Sequence, residues 1–105
     1  MEYSVYDPEL DTKKKLNLER NVLGRGLLEE MLHKVNGDLT ILDDSYVSRE
    51  HCFIDCSLKP IIFDNNSKNG TYVNGERVYA NFPVSLNNGD VISLGPWKLE
   101  FIAKK

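Results

Sequence analysis

With 105 residues, 41% of them hydrophobic and 28% charged, the chain has material for one buried core and no need of covalent staples. A net charge of −3 sets it apart from proteins that hold nucleic acid by bulk positive charge, and no apolar run approaches the ~20 residues that cross a bilayer. The two cysteines are too few for a disulfide framework and Met1 to Lys15 lacks the apolar segment of a secretory leader, so a reducing, intracellular setting is expected.

In chain order, Tyr3-Ser4-Val5-Tyr6 alternates apolar and polar residues as a half-buried strand does. Lys13-Lys14-Lys15 reads as a solvated turn, and Lys15-Leu16-Asn17-Leu18 as the next alternating strand. Val22-Leu23 ends at Gly24-Arg25-Gly26, where flanking glycines allow a sharp turn and leave the guanidinium unobstructed. Leu27, Leu28, Met31, Leu32 and Val35 then share one helical face, with Glu29 and Glu30 early and His33 and Lys34 late. Asn36-Gly37 supplies a left-handed stop, so one short helix is predicted near 27–35.

Asp38-Leu39-Thr40-Ile41 returns to strand alternation. Ser48-Arg49-Glu50-His51 forms a polar tip ahead of Cys52-Phe53-Ile54, and Pro60-Ile61-Ile62-Phe63 leads into the polar loop Asp64 to Gly70. Thr71-Tyr72-Val73, a hairpin tip at Asn74-Gly75, Glu76-Arg77-Val78, Asp90 to Leu94 and Trp97 to Phe101 complete the series. Four of the seven glycines follow asparagine, the dipeptide that makes tight hairpins, so the pairing is antiparallel. The sequons Asn65-Asn66-Ser67 and Asn69-Gly70-Thr71 are read as turn residues. Many short strands set off by turns imply an all-β sandwich or barrel in a single domain.

Three polar clusters interrupt this pattern, and each suits a bound phosphate monoester. Arg25 offers a planar donor fork for two oxygens, Ser48 a hydroxyl beside the charge of Arg49, and the loop around Asn69 an amide that pairs with an extended main chain. A nucleophilic reading would couple Ser48 to His51, but no carboxylate is placed to orient the histidine, and His51 at a strand edge reads as a buried brace between loops. His33, His51, Cys52 and Cys56 lack any metal-ligand spacing, and the two cysteines, four apart on one strand face, read as free buried thiols. No cofactor, no metal and no enzymatic activity are expected.

Gly24-Arg25, then Ser48-x-x-His51, then Asn69-Gly70-Thr71-x-x-Asn74-Gly75, then Gly89-Asp90-Val91-Ile92-Ser93-Leu94-Gly95 together resemble the forkhead-associated (FHA) domain, over about Tyr3 to Ile102. The resemblance implies an FHA/SMAD-like antiparallel β-sandwich of about eleven strands whose loops at one end clamp a phosphothreonine in an extended peptide. It implies phosphate binding by Arg25, Ser48, Arg49 and Lys68, peptide-backbone binding by Asn69, and loop support by Gly24, His51, Thr71 and Asn74. Lys68 stands where the family often has a small hydroxyl residue. The 23-residue advance from Arg25 to Ser48 exceeds the family's usual spacing, and the excess coincides with the predicted helix, read as a cap on an open end of the sandwich.

The expected partner is a Thr-phosphorylated protein, met by a monomeric domain without direct contact to nucleic acid or membrane. The role would lie in DNA-damage, cell-cycle or kinase-linked signalling, in the nucleus of a eukaryote or the cytoplasm of a bacterium. Tyr46 and the Gly95-Pro96-Trp97 turn are candidates for reading the third residue after the phosphothreonine. The alternative is a phosphate-independent interaction or dimerisation domain using the sandwich face or the 27–35 helix.

Overall fold

The computed structural model describes residues 1–33 and 46–105. Its described strands are β1 (Glu2–Asp7), β2 (Thr12–Lys15), β3 (Arg20–Leu23), β4 (Cys52–Asp55), β5 (Ile61–Asp64), β6 (Thr71–Val73), β7 (Glu76–Val78), β8 (Val84–Ser85), β9 (Val91–Leu94) and β10 (Trp97–Lys104), with one helix, α1 (Arg25–His33). They form two antiparallel sheets, β2-β1-β10-β9-β6-β7 and β3-β4-β5-β8. The strand expected at Asp38–Ile41 and the stop at Asn36-Gly37 lie outside the described residues.

The apolar positions of both sheets face each other, as period-two alternation requires. Val5, Leu23, Ile54, Ile62, Ile92, Leu94, Leu99 and Phe101 are buried in one core, and Tyr3 stacks on Phe101 with ring centroids 5.8 Å apart. Trp97 is buried with its indole N–H donating to Asp7 at 2.8 Å, so its one polar atom is satisfied inside. The β6–β7 hairpin turns on Asn74 and Gly75 with φ of 51° and 84°, the pair of positive angles that matches the twist of a two-residue hairpin.

Two local expectations are corrected. The lysine run is a strand, β2, not a turn, and Leu16 to Leu18 follows it. At the edge of a sheet, lysine stems can flank the backbone on either side while their ammonium groups stay in water or find acids. Lys14 reaches Glu30 of α1 and Lys15 reaches Glu2, both at 3.2 Å. The helix begins at Arg25, two residues earlier than its apolar stripe, because the Gly24 carbonyl accepts the Leu28 N–H at 3.1 Å and closes the first turn.

Gly26 is therefore helical and exposed, not a turn residue. Leu28 and Met31 are fully buried, with Leu27 and Leu32 packed at their margin, and Val35 falls outside the described residues. The helix packs on β2 and β3, the outermost strands of the two sheets, so it closes the seam between the sheets along one side.

Candidate functional site

Register decides which loops meet. Leu23 pairs with Cys52 and Cys52 with Asp64, while Thr71 pairs with Leu94 and with Val78. The chain leaving β3, the chain entering β4, the β5–β6 loop and the β9–β10 turn therefore gather at one end of the sandwich. Arg25, Ser48, Arg49, Lys68 and Asn69 all lie there.

Gly24 lies directly against the backbone of Ser48 and Arg49. A Cβ built on it would stand 2.0 Å from the Arg49 carbonyl oxygen and 2.8 Å from that of Ser48, both backbone atoms that cannot step aside. Only glycine lets the two segments touch, and across that contact the Arg25 N–H donates to the Ser48 carbonyl at 3.1 Å. The Arg25 side chain lies over the same loop, its Nε donating to the Val47 carbonyl at 3.2 Å. Arg25 is also the first residue of α1.

His51 is fully buried and ties two loops together. Its Nδ1 accepts the Ser48 N–H at 3.1 Å and its Nε2 stands 2.7 Å from the Gly70 carbonyl. An acceptor at Nδ1 and a carbonyl at Nε2 fix the neutral tautomer with the proton on Nε2. Both ring nitrogens are thereby engaged, and the group bonded to Nδ1 is the Ser48 amide rather than its hydroxyl. The Ser48 Oγ instead accepts the Lys68 N–H at 3.3 Å, which joins the second and third clusters directly.

Asp64 holds the third loop, a role that the sequence reading missed. It is buried, and its Oδ1 accepts the hydroxyls of Ser67 at 2.6 Å and Thr71 at 2.7 Å while Oδ2 accepts the Ser67 N–H at 2.9 Å. The Ser67 Oγ in turn accepts the Gly70 N–H at 3.0 Å. Burial pushes the Asp64 carboxyl up, but the hydrogen bonds from Ser67 and Thr71 outweigh it and leave it below the usual carboxylate range. The available signal was an aspartate opening a polar loop with serine three places on, the pattern of an Asx turn. Asn65 adds a tie by donating its N–H to His51 and its side-chain amide to Glu50, both at 3.1 Å.

Asn69 is exposed and donates Nδ2 to the Tyr46 carbonyl at 3.0 Å. Tyr46 is also the neighbour of Gly95, whose built Cβ would lie 3.1 Å from the Tyr46 carbonyl oxygen. The two segments named for flanking recognition thus touch each other. Asn74 does not join this end. It sits beyond Val73 at the other end of β6, where it donates to Asp90 at 3.0 Å and accepts the Val91 N–H at 2.9 Å. Cys52 is fully buried, and that burial pushes its thiol up to about 12 against an opposing hydrogen bond from Thr71.

The model of the FHA domain family matches residues 21–95, most of the chain and every cluster just described. The chain belongs to the FHA domain family. A structure from work on phosphothreonine-dependent FHA domain interactions is 27% identical with a TM-score of 0.76, covering 100% of this chain and 99% of its own. Mycobacterium tuberculosis EmbR, solved with a low-affinity phosphopeptide, is 26% identical with a TM-score of 0.72 over 96% of this chain and 24% of its own. Nibrin of Danio rerio is 26% identical over 77 residues, 73% of this FHA domain, which spans only 9% of that relative's length.

Proposed function

We infer that this FHA domain is a phosphothreonine-dependent protein-interaction module, and not an enzyme. The observation that carries the reading is the direct linkage of its three polar clusters: Arg25 to the Val47–Ser48 loop, and the Ser48 hydroxyl to the Lys68 amide. A phosphate with a charge of about −1.5 to −2 meets there a guanidinium, a hydroxyl, two further cations and the N-terminus of α1. In this reading the Arg25 Nη groups take two phosphate oxygens and the Ser48 hydroxyl, already accepting from Lys68, donates its proton to a third. Arg49 and Lys68, both exposed, add charge at the rim. Asn69 keeps Oδ1 and its second amide hydrogen for the main chain of an extended peptide. Gly24, His51 and Thr71 hold the loops, and Asn74 holds the hairpin behind them.

The partner is a Thr-phosphorylated protein, met by a monomeric domain in an intracellular setting, nuclear in a eukaryote. Likeness to nibrin favours a place in the DNA-damage response. The rival reading, docking through the helix, is weakened because Leu28 and Met31 are spent on the core. The test is titration with a degenerate phosphothreonine peptide library and its unphosphorylated twin. Binding confined to the phosphorylated library supports the reading, and equal binding overturns it.

A further inference from the structure

Beside the clamp lies a feature that phosphate binding leaves unused. The segment Tyr79-Ala80-Asn81-Phe82 joins β7 to β8 and carries two large apolar side chains into solvent, Tyr79 at 55% and Phe82 at 72% of full exposure. It is a held turn: Tyr79 and Phe82 are bridged through their backbones, Pro83 follows, and the Arg77 guanidinium lies 5.5 Å from the centre of the Tyr79 ring. An open groove of about 400 Å³ runs between this turn and Asn66.

Topology sets that groove flush with the phosphate end. Thr71 pairs with Val78, so Tyr79 emerges next to Gly70. Ile62 pairs with Val84 in antiparallel sense, so the chain before Val84 runs back toward Asp64. Asn66 belongs to the same loop as Lys68 and Asn69. Thr71 also pairs with Leu94 on its other side, so the Gly95–Tyr46 contact flanks Gly70 opposite the aromatic turn, one strand spacing away on each side.

We propose that the Tyr79–Phe82 turn is a second recognition surface for the same phosphorylated ligand, taking an apolar side chain on the flank of the phosphothreonine that runs away from Tyr46. This rests on the phosphothreonine reading above. The occupant follows from position: a peptide extended over Ser48 and Asn69 and continuing past Asn66 has this groove as its next surface. The groove offers an aromatic wall for an apolar residue, with the Asn66 and Asn81 amides for the main chain beside it. A turn fixed before binding loses little freedom on contact, so the burial is retained as affinity.

The test compares wild type with Phe82→Ser and Tyr79→Ser on an oriented phosphothreonine library degenerate on both flanks, with thermal melting recorded for each protein. Both side chains are largely exposed, so melting stays within a few degrees. Wild type selects apolar residues on one flank, and each variant loses that selection and about tenfold in affinity for the selected peptide, while still requiring phosphate. Phosphate-dependent binding with flank preferences unchanged in both variants overturns the proposal and leaves the phosphothreonine reading intact. Loss of phosphate dependence in wild type removes both. Concentration-dependent self-association that Phe82→Ser abolishes, without a flank preference, assigns the turn to a second copy of the chain and equally overturns it.

Discussion

The two ends of β6 are built with the same local device and differ in what surrounds it. At one end Asp64 accepts donors from Ser67 and Thr71, and at the other Asp90 accepts the Asn74 side chain and the Asn87 N–H, the latter at 2.7 Å. Each carboxylate pins an Asn-Gly turn. Asp64 is buried beneath its loop and tied to His51 through it, whereas Asp90 remains half-exposed, lining a groove with Glu76 and Arg77. The Asp64 end gathers three cations, Arg25, Arg49 and Lys68, whereas the groove at the Asp90 end sets Arg77 beside Glu76. An aspartate-pinned turn is thus scaffolding, and in the proposed reading anion recognition comes from burying its negative charge while leaving positive charge outside.

The largest effect expected from breaking this arrangement is at Gly24. Gly24→Ala forces a methyl into backbone and should cost about 3 kcal/mol by denaturant melting, with phosphopeptide affinity lost as the loops part. Gly26→Ala, two residues on and with nothing within 4 Å of the added methyl, should leave affinity unchanged and stability equal or slightly raised. Matching losses in both would show that the glycine contact is not what positions Arg25.

His51→Ala removes the tie between the Ser48 amide and the Gly70 carbonyl and should cost about 1–3 kcal/mol of stability. Binding should weaken with it through loosened loops. Unchanged melting with abolished binding would instead place His51 in contact with the ligand.

Asp64→Asn tests the two carboxylates against each other. It should cost about 1–2 kcal/mol near neutral pH, more than Asp90→Asn, because a buried acceptor of three hydrogen bonds is replaced by an amide with one oxygen. Acid adds a second readout. The folded Asp64 carboxyl lies below its unfolded value, so its contribution is present above about pH 4 and is lost as pH falls through the lower folded value. The gap in melting temperature between wild type and Asp64→Asn should therefore narrow on acidification.

A finer distinction is threonine against serine in the ligand. Both phosphoesters carry the same charge, so Arg25 and Lys68 cannot separate them. Burial of the γ-methyl, worth about 0.8 kcal/mol, and its stiffer rotamer should together favour phosphothreonine by about tenfold. Equal affinities would mark a generic anion site.

Much of the fold was legible because alternation and Asn-Gly turns are local signals, and β1, β5, β6, β9 and β10 stand where the pattern sets them. Arg25, Ser48 and Asn69 were named from their side-chain chemistry and the FHA resemblance, and the structure brings their loops to one end of the sandwich. What escaped depends on tertiary approach. Gly24 was named for loop support through the resemblance, but the carbonyl twenty-five residues later that demands glycine there was not, and Asp64 gains its role only when Thr71 folds back across it. The β2 lysines suit a turn or an edge strand equally, and only the neighbouring β1 decides. The helix start was set by a Gly24 carbonyl that has no side-chain signature.

The central claim is that Arg25 reads the phosphate. It is tested most directly by four dissociation constants: wild type and Arg25→Ala, each against one threonine peptide with and without its phosphate. Wild type should lose about 2–5 kcal/mol of affinity when the phosphate is removed, and Arg25→Ala should show little further dependence on it. A phosphate dependence in Arg25→Ala equal to that of wild type would contradict the account.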